Sequence, residues 1–204
     1  MSDIETLEAA IATGIVPANN LAFAQSLVDQ SKQRALSDKQ MFWVKKLGTP
    51  AAPAAEAVKV GDLTGINQLF DKARQHLKFP AIVMSVPAAN MTIRINVAGP
   101  SAKHPGTLNV TSGEKPAYDE RRTWFGRVMK DGSYVASDKA AMNATAISER
   151  LIAFAADPVG IASEHGRLTG RCCFCNLHLT DERSTAVGYG KTCAGHYGLP
   201  WGAK

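Results

Sequence analysis

The sequence predicts an α+β fold: N-terminal helices, a small antiparallel β-sheet domain with flanking helices, and a C-terminal module organised around clustered cysteines. Three observations lead there. Apolar residues recur at helical spacing through residues 1–48, they alternate strictly through residues 91–97, and all four cysteines fall within residues 172–193 of a 204-residue chain.

In the first segment Ile4, Leu7, Ala10 and Ile11 mark one amphipathic helix. Leu21, Phe23, Ala24 and Leu27 mark a second, and Pro17 with Asn19-Asn20 separates the two. Ser37 followed by Gln40 is a capping box that opens a third helix, carried by Met41, Trp43, Val44 and Leu47 and ended by Gly48 and Pro50. Trp43 on that stripe is expected in a core or at an interface rather than stacked on a base. The stretch "GTPAAPAAEAVKVG" that follows has little to bury, so residues 49–61 are expected to form an Ala/Pro linker. Residues 1–48 then form a helical element too small to be very stable alone, suited to docking on a protein partner.

Beyond residue 61, Leu63, Ile66, Leu69, Phe70, Ala73 and Leu77 predict another helix. Met91, Ile93, Ile95 and Val97 then face one side of a strand, with Thr92, Arg94 and Asn96 on the other. Further strands are expected at residues 107–110 and on both sides of an Asp131-Gly132 hairpin turn, giving three to five strands in a small curled sheet or partial barrel. A last helix over 137–156 places Met142, Ile147, Leu151 and Phe154 on its inner side and stops at Asp157-Pro158. The expected boundaries are 62–165 for the α+β domain and 166–204 for the cysteine module.

That module carries the sharpest chemistry. Cys172 and Cys175 form a C-x2-C pair, and Cys193 with His196 forms a C-x2-H pair after seventeen intervening residues. Two such pairs supply the corners of a tetrahedron, and three thiolates with one imidazole are a donor set for one structural Zn2+ in a treble-clef or zinc-ribbon-like site. Cys173 and His178 compete with His196 for the fourth place. The overlapping Gly190-Lys191-Thr192 imitates the end of a phosphate-binding loop, but Thr185 stands where the first glycine is required and the preceding segment is charged.

Composition bounds the rest. The formal charge is +5, of which the cysteine module contributes three: Arg167, Arg171, Arg183, Lys191 and Lys204 against Asp181 and Glu182. A small basic metal module is a frequent nucleic-acid reader. In the sheet, Trp124, Phe125 and Tyr134 lie near Arg121, Arg122 and Arg127, a mixture able to stack bases and neutralise phosphates. The alternative is that the aromatics fill the core while the arginines snorkel at its edge. Lys103 and His104 sit on a Gly/Pro-rich loop between strands. No apolar run approaches membrane-spanning length and the first residues are acidic and amphipathic, so a cytoplasmic protein without membrane contact is expected. No nucleophile elbow, H-E-x-x-H or glycine-rich cofactor fingerprint is present, and no catalytic residue is assigned.

The run "RCCFCNLHLTDERSTAVGYGKTCAGHYGLPW" resembles a Cys-rich C-terminal segment of an uncharacterised family of bacteriophage and bacterial proteins, sometimes attached to helicase-like chains. "LSDKQMFWVKKL" and "TWFGRVMKDGSY" are similar to other parts of the same proteins. The resemblance carries over Cys172, Cys175 and Cys193 but not His196, and implies a setting in phage replication, recombination or host takeover. The residues themselves leave two functions: a zinc-containing nucleic-acid-binding accessory protein using Arg121, Arg122, Trp124, Arg127, Arg167, Arg171 and Lys191, or a non-enzymatic adaptor or inhibitor of a host enzyme, docking through residues 1–48 with zinc as a structural staple.

Overall fold

The computed structural model describes residues 2–49, 57–114 and 121–202. The chain divides into two compact units, residues 1–54 and 55–204. In the first, α1 (Asp3–Ala12), α2 (Ala18–Gln33) and α3 (Asp38–Gly48) surround a core of Leu7, Ala10, Val16, Ala24, Leu27, Val28, Val44 and Leu47. Capping boxes start α1 at Ser2/Glu5 and α3 at Ser37/Gln40, each pairing backbone N–H groups that a helix end would otherwise leave without acceptors. Trp43 lies off the buried stripe. It is 39 % exposed and meets Phe23 and Phe42 edge to face, with centroids 5.9 and 5.7 Å away. Val44 and Leu47 keep the three-residue spacing that faces the core, and position 43 is rotated about 100° from position 44.

The second unit is built on a six-stranded antiparallel sheet of β1 (Val58–Lys59), β2 (Ala81–Val86), β3 (Met91–Val97), β4 (Leu108–Ser112), β5 (Trp124–Val128) and β6 (Ser133–Ala136). The spatial order is β1-β6-β5-β4-β3-β2. From β2 to β6 the strands form a meander, and β1 returns to the far edge beside β6. Pairing of Ile95 with Ile82 and Val110 places these apolar residues in one row, and Ile93 meets Met84 in the next. That face is covered by α4 (Thr64–Arg74), α5 (Ala144–Ala156) and α6 (Pro158–Thr169), whose Ile66, Leu69, Phe70, Ile147, Leu151, Phe154 and Ala162 join one continuous core. Each large side chain so buried contributes roughly 1.5–3 kcal/mol.

A register shift between Val110 and Thr111 opposite β5 is accommodated by Gly126 at φ +130°. A Cβ there would stand 2.2 Å from the carbonyl oxygen of Val135, so only glycine allows the two strands to pair.

Several expectations need correction. Residues 58–59 pair with β6 and Val60 is buried, so the last part of the expected linker belongs to the sheet; residues 50–56 of that linker lie outside the described residues. Residues 138–143 form a 3-10 turn rather than the start of α5, and Met142, expected inside, is 98 % exposed. Asp157-Pro158 ends α5 but also begins α6: Asp157 accepts from the Gly160 N–H, and the proline ring presets the first helical residue. The expected boundary at 165/166 falls inside α6, and Cys172, Phe174 and Tyr197 share the core of the sheet. Two short helices complete the unit, α7 (Glu182–Val187) and α8 (Lys191–Tyr197). Among the described residues no helix is long and apolar enough to cross a membrane.

Candidate functional site

The cysteine segment begins as a tight hairpin. Arg171 pairs with His178, the Cys172 N–H donates to the Leu177 carbonyl, and the Asn176 N–H returns to the Cys172 carbonyl with Asn176 at φ +61°. Asparagine tolerates that left-handed conformation better than most residues, which lets the chain reverse directly after Cys175. Cys193 approaches from α8, whose N-cap is Gly190. The Sγ atoms of Cys172, Cys175 and Cys193 all lie within 4.8 Å of one another, a group able to hold a metal ion. Tetrahedral ligation with metal–sulfur bonds of about 2.3 Å separates neighbouring sulfurs by roughly 3.8 Å, so the three are already gathered.

Their protons are shared unequally. Hydrogen bonds from Cys175 and Cys193 hold the Cys172 thiol far below its ordinary range, while both donors are raised because each keeps its own proton in the bond it donates to the Cys172 sulfur. One sulfur is thus favoured as a thiolate, the form in which cysteine binds a metal. Cys173 points elsewhere. It is fully buried, burial first and the Cys172 charge second push its thiol up, and its backbone ties the segment to the rest of the unit.

The expected fourth ligand, His196, is outside this cluster. Its ring stacks on His76 instead, with centroids 5.2 Å apart and planes 17° from parallel. His178 lines the same small cavity of about 200 Å³ as the three cysteines, beside Asp181 and Lys191. Asp181 is engaged elsewhere, capping α7 and pairing with Arg183 at 3.0 Å.

This segment also closes the edge of the sheet. The Val83 N–H donates to the Cys173 carbonyl at 2.7 Å, and the buried Tyr197 hydroxyl accepts from the Ala81 N–H at 3.1 Å and donates to the Ala81 carbonyl at 2.9 Å. An unpaired strand edge is a template for association, and here β2 meets the cysteine module instead. Phe174 stacks on Tyr197 with centroids 3.8 Å apart, and burial raises the tyrosine's acidity threshold so that it remains a neutral donor. Gly166 and Gly188 bring α6 against the end of α7: a Cβ on Gly166 would stand 1.9 Å from the Gly188 carbonyl oxygen.

From β3 to β5 the other face of the sheet is largely polar, whereas Ala81 and Val83 of β2 are buried on it. Register places Asn96, Asn109, Arg127 and Val135 in one row, and Arg94, Thr111 and Trp124 in the neighbouring one. The Arg127 guanidinium lies 5.2 Å from the Trp124 ring centroid, a cation–π pair that keeps an aromatic face beside a fixed positive charge. Arg94 is half-buried, and burial followed by the nearby Arg122 charge lowers its pKa. Among the described residues its side chain has one recorded protein partner, the Asn96 Oδ1 at 3.3 Å.

The other sequence candidates are dispersed. Arg122 donates to the carbonyls of Ser112, Gly113 and Glu114 and so fastens the end of β4 to the approach to β5. Arg121 is exposed beside it. Phe125 and Tyr134 belong to the core, with the Tyr134 hydroxyl donating to the Phe125 carbonyl at 2.7 Å. Arg167 is exposed on the last turn of α6, and Arg171 donates to the Asn176 carbonyl. Lys191 lies 5.5 Å from the Trp201 ring, which Arg183 also covers at 4.0 Å. Arg94, Asn96 and Asn109 were not singled out from sequence, although the outward half of the alternation in β3 already contained two of them.

Residues 162–198 match the model of a family described as a family of unknown function, DUF6011. The match covers most of α6, the hairpin and all of α7 and α8. No curated protein and no solved structure matches the chain.

Proposed function

We propose that the protein is a zinc-containing, non-catalytic accessory protein that binds nucleic acid on the polar face of its sheet. The observation that carries this reading is the Trp124–Arg127 pair set in one face with Arg94, Asn96 and Asn109. Aromatic stacking supplies sequence-tolerant affinity for bases, and guanidinium groups neutralise phosphates. Exposed Arg121 and, from the cysteine module, Arg167, Arg171 and Lys191 would add positive charge to the same reading. The setting in phage replication, recombination or host takeover implied by the sequence resemblance is part of the same proposal, as is a cytoplasmic location.

Zinc is the metal that suits three clustered thiols. Cys172, Cys175 and Cys193 would hold it, and its contribution is to fix the hairpin and α8 where they meet β2. His178 is the candidate for the fourth position: it lines the shared cavity with its Nδ1 3.4 Å from the Leu179 carbonyl, and because its ring nitrogens, like those of His196, lie outside the 4.8 Å group, its ring would have to turn inward to bind.

The test is a double substitution, Trp124→Ala with Arg127→Glu, assayed by fluorescence anisotropy of a labelled oligonucleotide. Affinity falls at least tenfold for every base sequence alike, because stacking on one aromatic is worth about 1–3 kcal/mol and phosphate contacts carry no sequence information. Unchanged affinity rejects the sheet face as the binding surface.

A further inference from the structure

At the β2–β3 end of the polar face the sheet runs into a cleft of about 950 Å³. Its floor includes Arg94, Asn96 and Asn109, one wall is the turn after α4, and the opposite wall is the Gly/Pro-rich loop after β3. Arg74, Lys78 and Lys130 bring further positive charge to its rim, and among the described residues no Asp or Glu lines it. Arg74 pairs with Asp71 at 3.3 Å; Lys78, Arg94 and Lys130 have no carboxylate within salt-bridge distance among the described residues. The Lys130 side chain passes over Gly106, at φ +76°, where a Cβ would stand 2.9 Å from the lysine Cε. Phe79 stands at the mouth, 78 % exposed, with the Lys78 ammonium 5.3 Å from its ring centroid.

We propose that this cleft is a binding site for single-stranded nucleic acid, with Phe79 as a stacking platform for an unpaired base and Lys78, Arg94 and Lys130 as phosphate contacts. The assignment rests on the nucleic-acid reading of the sheet face and makes it specific. A basic cleft without carboxylates favours a polyanion. An exposed phenyl ring beside a cation adds something a duplex cannot use, since paired bases already stack on one another and offer no free face. Asn96 and Asn109 present amide donors and acceptors in the floor, suited to base edges that only an unpaired strand exposes. The register then gives the strand a route. Asn96 pairs with Asn109 and Asn109 with Arg127, so the cleft leads to the Trp124–Arg127 pair across two strand spacings, roughly 10 Å.

The experiment uses the full, zinc-loaded chain and a labelled oligodeoxythymidine of roughly 16 nucleotides, the upper end of site sizes for small sheet domains. Unlabelled duplex of the same length is the competitor. Phe79→Ala is expected to weaken single-strand binding about tenfold and to leave duplex competition unchanged. Lys130→Glu lowers the magnitude of the salt-dependence slope by about one. Both residues are exposed, and circular dichroism of each variant checks that the fold persists. If both variants bind as the parent does while Trp124→Ala loses affinity, the cleft is rejected and the sheet face stands. Duplex binding tighter than single strand overturns the single-strand assignment, and absence of binding to either polymer at low salt rejects both proposals.

Discussion

Tyr197→Phe removes one oxygen from the junction between the cysteine module and β2, and its effect can be worked from the contacts. The buried hydroxyl accepts from the Ala81 N–H and donates to the Ala81 carbonyl, joining residues 116 positions apart. Each bond contributes about 0.5–1.5 kcal/mol, and without the hydroxyl both backbone groups stay buried with no replacement partner from phenylalanine. A loss of about 2–3 kcal/mol follows. At about 2–4 °C per kcal/mol for a unit of this size, the melting temperature of residues 55–204 falls by roughly 4–12 °C. Tyr134→Phe is the internal comparison, because its hydroxyl makes a single bond to the Phe125 carbonyl and its loss costs about 1 kcal/mol. Urea unfolding of the zinc-loaded protein measures both, followed by Trp124 and Trp201 fluorescence with Trp43 of the other unit replaced by Phe. A Tyr197→Phe loss below about 0.5 kcal/mol, or one no larger than that of Tyr134→Phe, refutes the claim that this tyrosine anchors the module to the sheet edge.

Metal analysis separates the ligand candidates: Cys193→Ser purifies without stoichiometric zinc, His196→Ala retains it because that ring stacks on His76, and His178→Ala releases it faster to a chelator. Acid titration reports on the β5–β6 hairpin. Asp131 receives hydrogen bonds from Lys59 and Ser133 that depress its carboxyl to about 2 from an ordinary 3.8. The stability it contributes is therefore present above 3.8 and lost as pH falls toward 2, and Asp131→Asn flattens that part of the stability profile.

The elements most legible in the sequence were those whose pattern is local. Alternation in residues 91–97 marked β3, the Ser37/Gln40 box marked the start of α3, and Asp131-Gly132 marked the turn between β5 and β6. Ser2 and Glu5 form the same box at the start of α1. The failures have physical causes. Pro158 is both a stop for one helix and a favourable first residue for the next, and only tertiary packing of α6 on β2 decides that the chain continues as helix. The short strand at 58–59 has no periodicity to detect and exists because β6 offers it an edge.

The three gathered cysteines were legible; the fourth position was not. Cys172, Cys175 and Cys193 follow from spacing, but His196 was assigned from a C-x2-H interval that says nothing about the competing ring of His76. The cleft was not legible at all. Phe79, Arg94 and Lys130 are distant in sequence and meet only because the meander returns β3 and the β5–β6 turn to the same end of the sheet.

The measurement closest to the central claim is the salt dependence of binding by the unmodified, zinc-loaded protein to single-stranded DNA, duplex DNA and RNA. Neutralising about four phosphates of a single strand predicts a slope of log K against log salt of roughly −3, with micromolar or tighter affinity at low salt. Binding that is absent, or whose affinity does not change with salt, contradicts the nucleic-acid role.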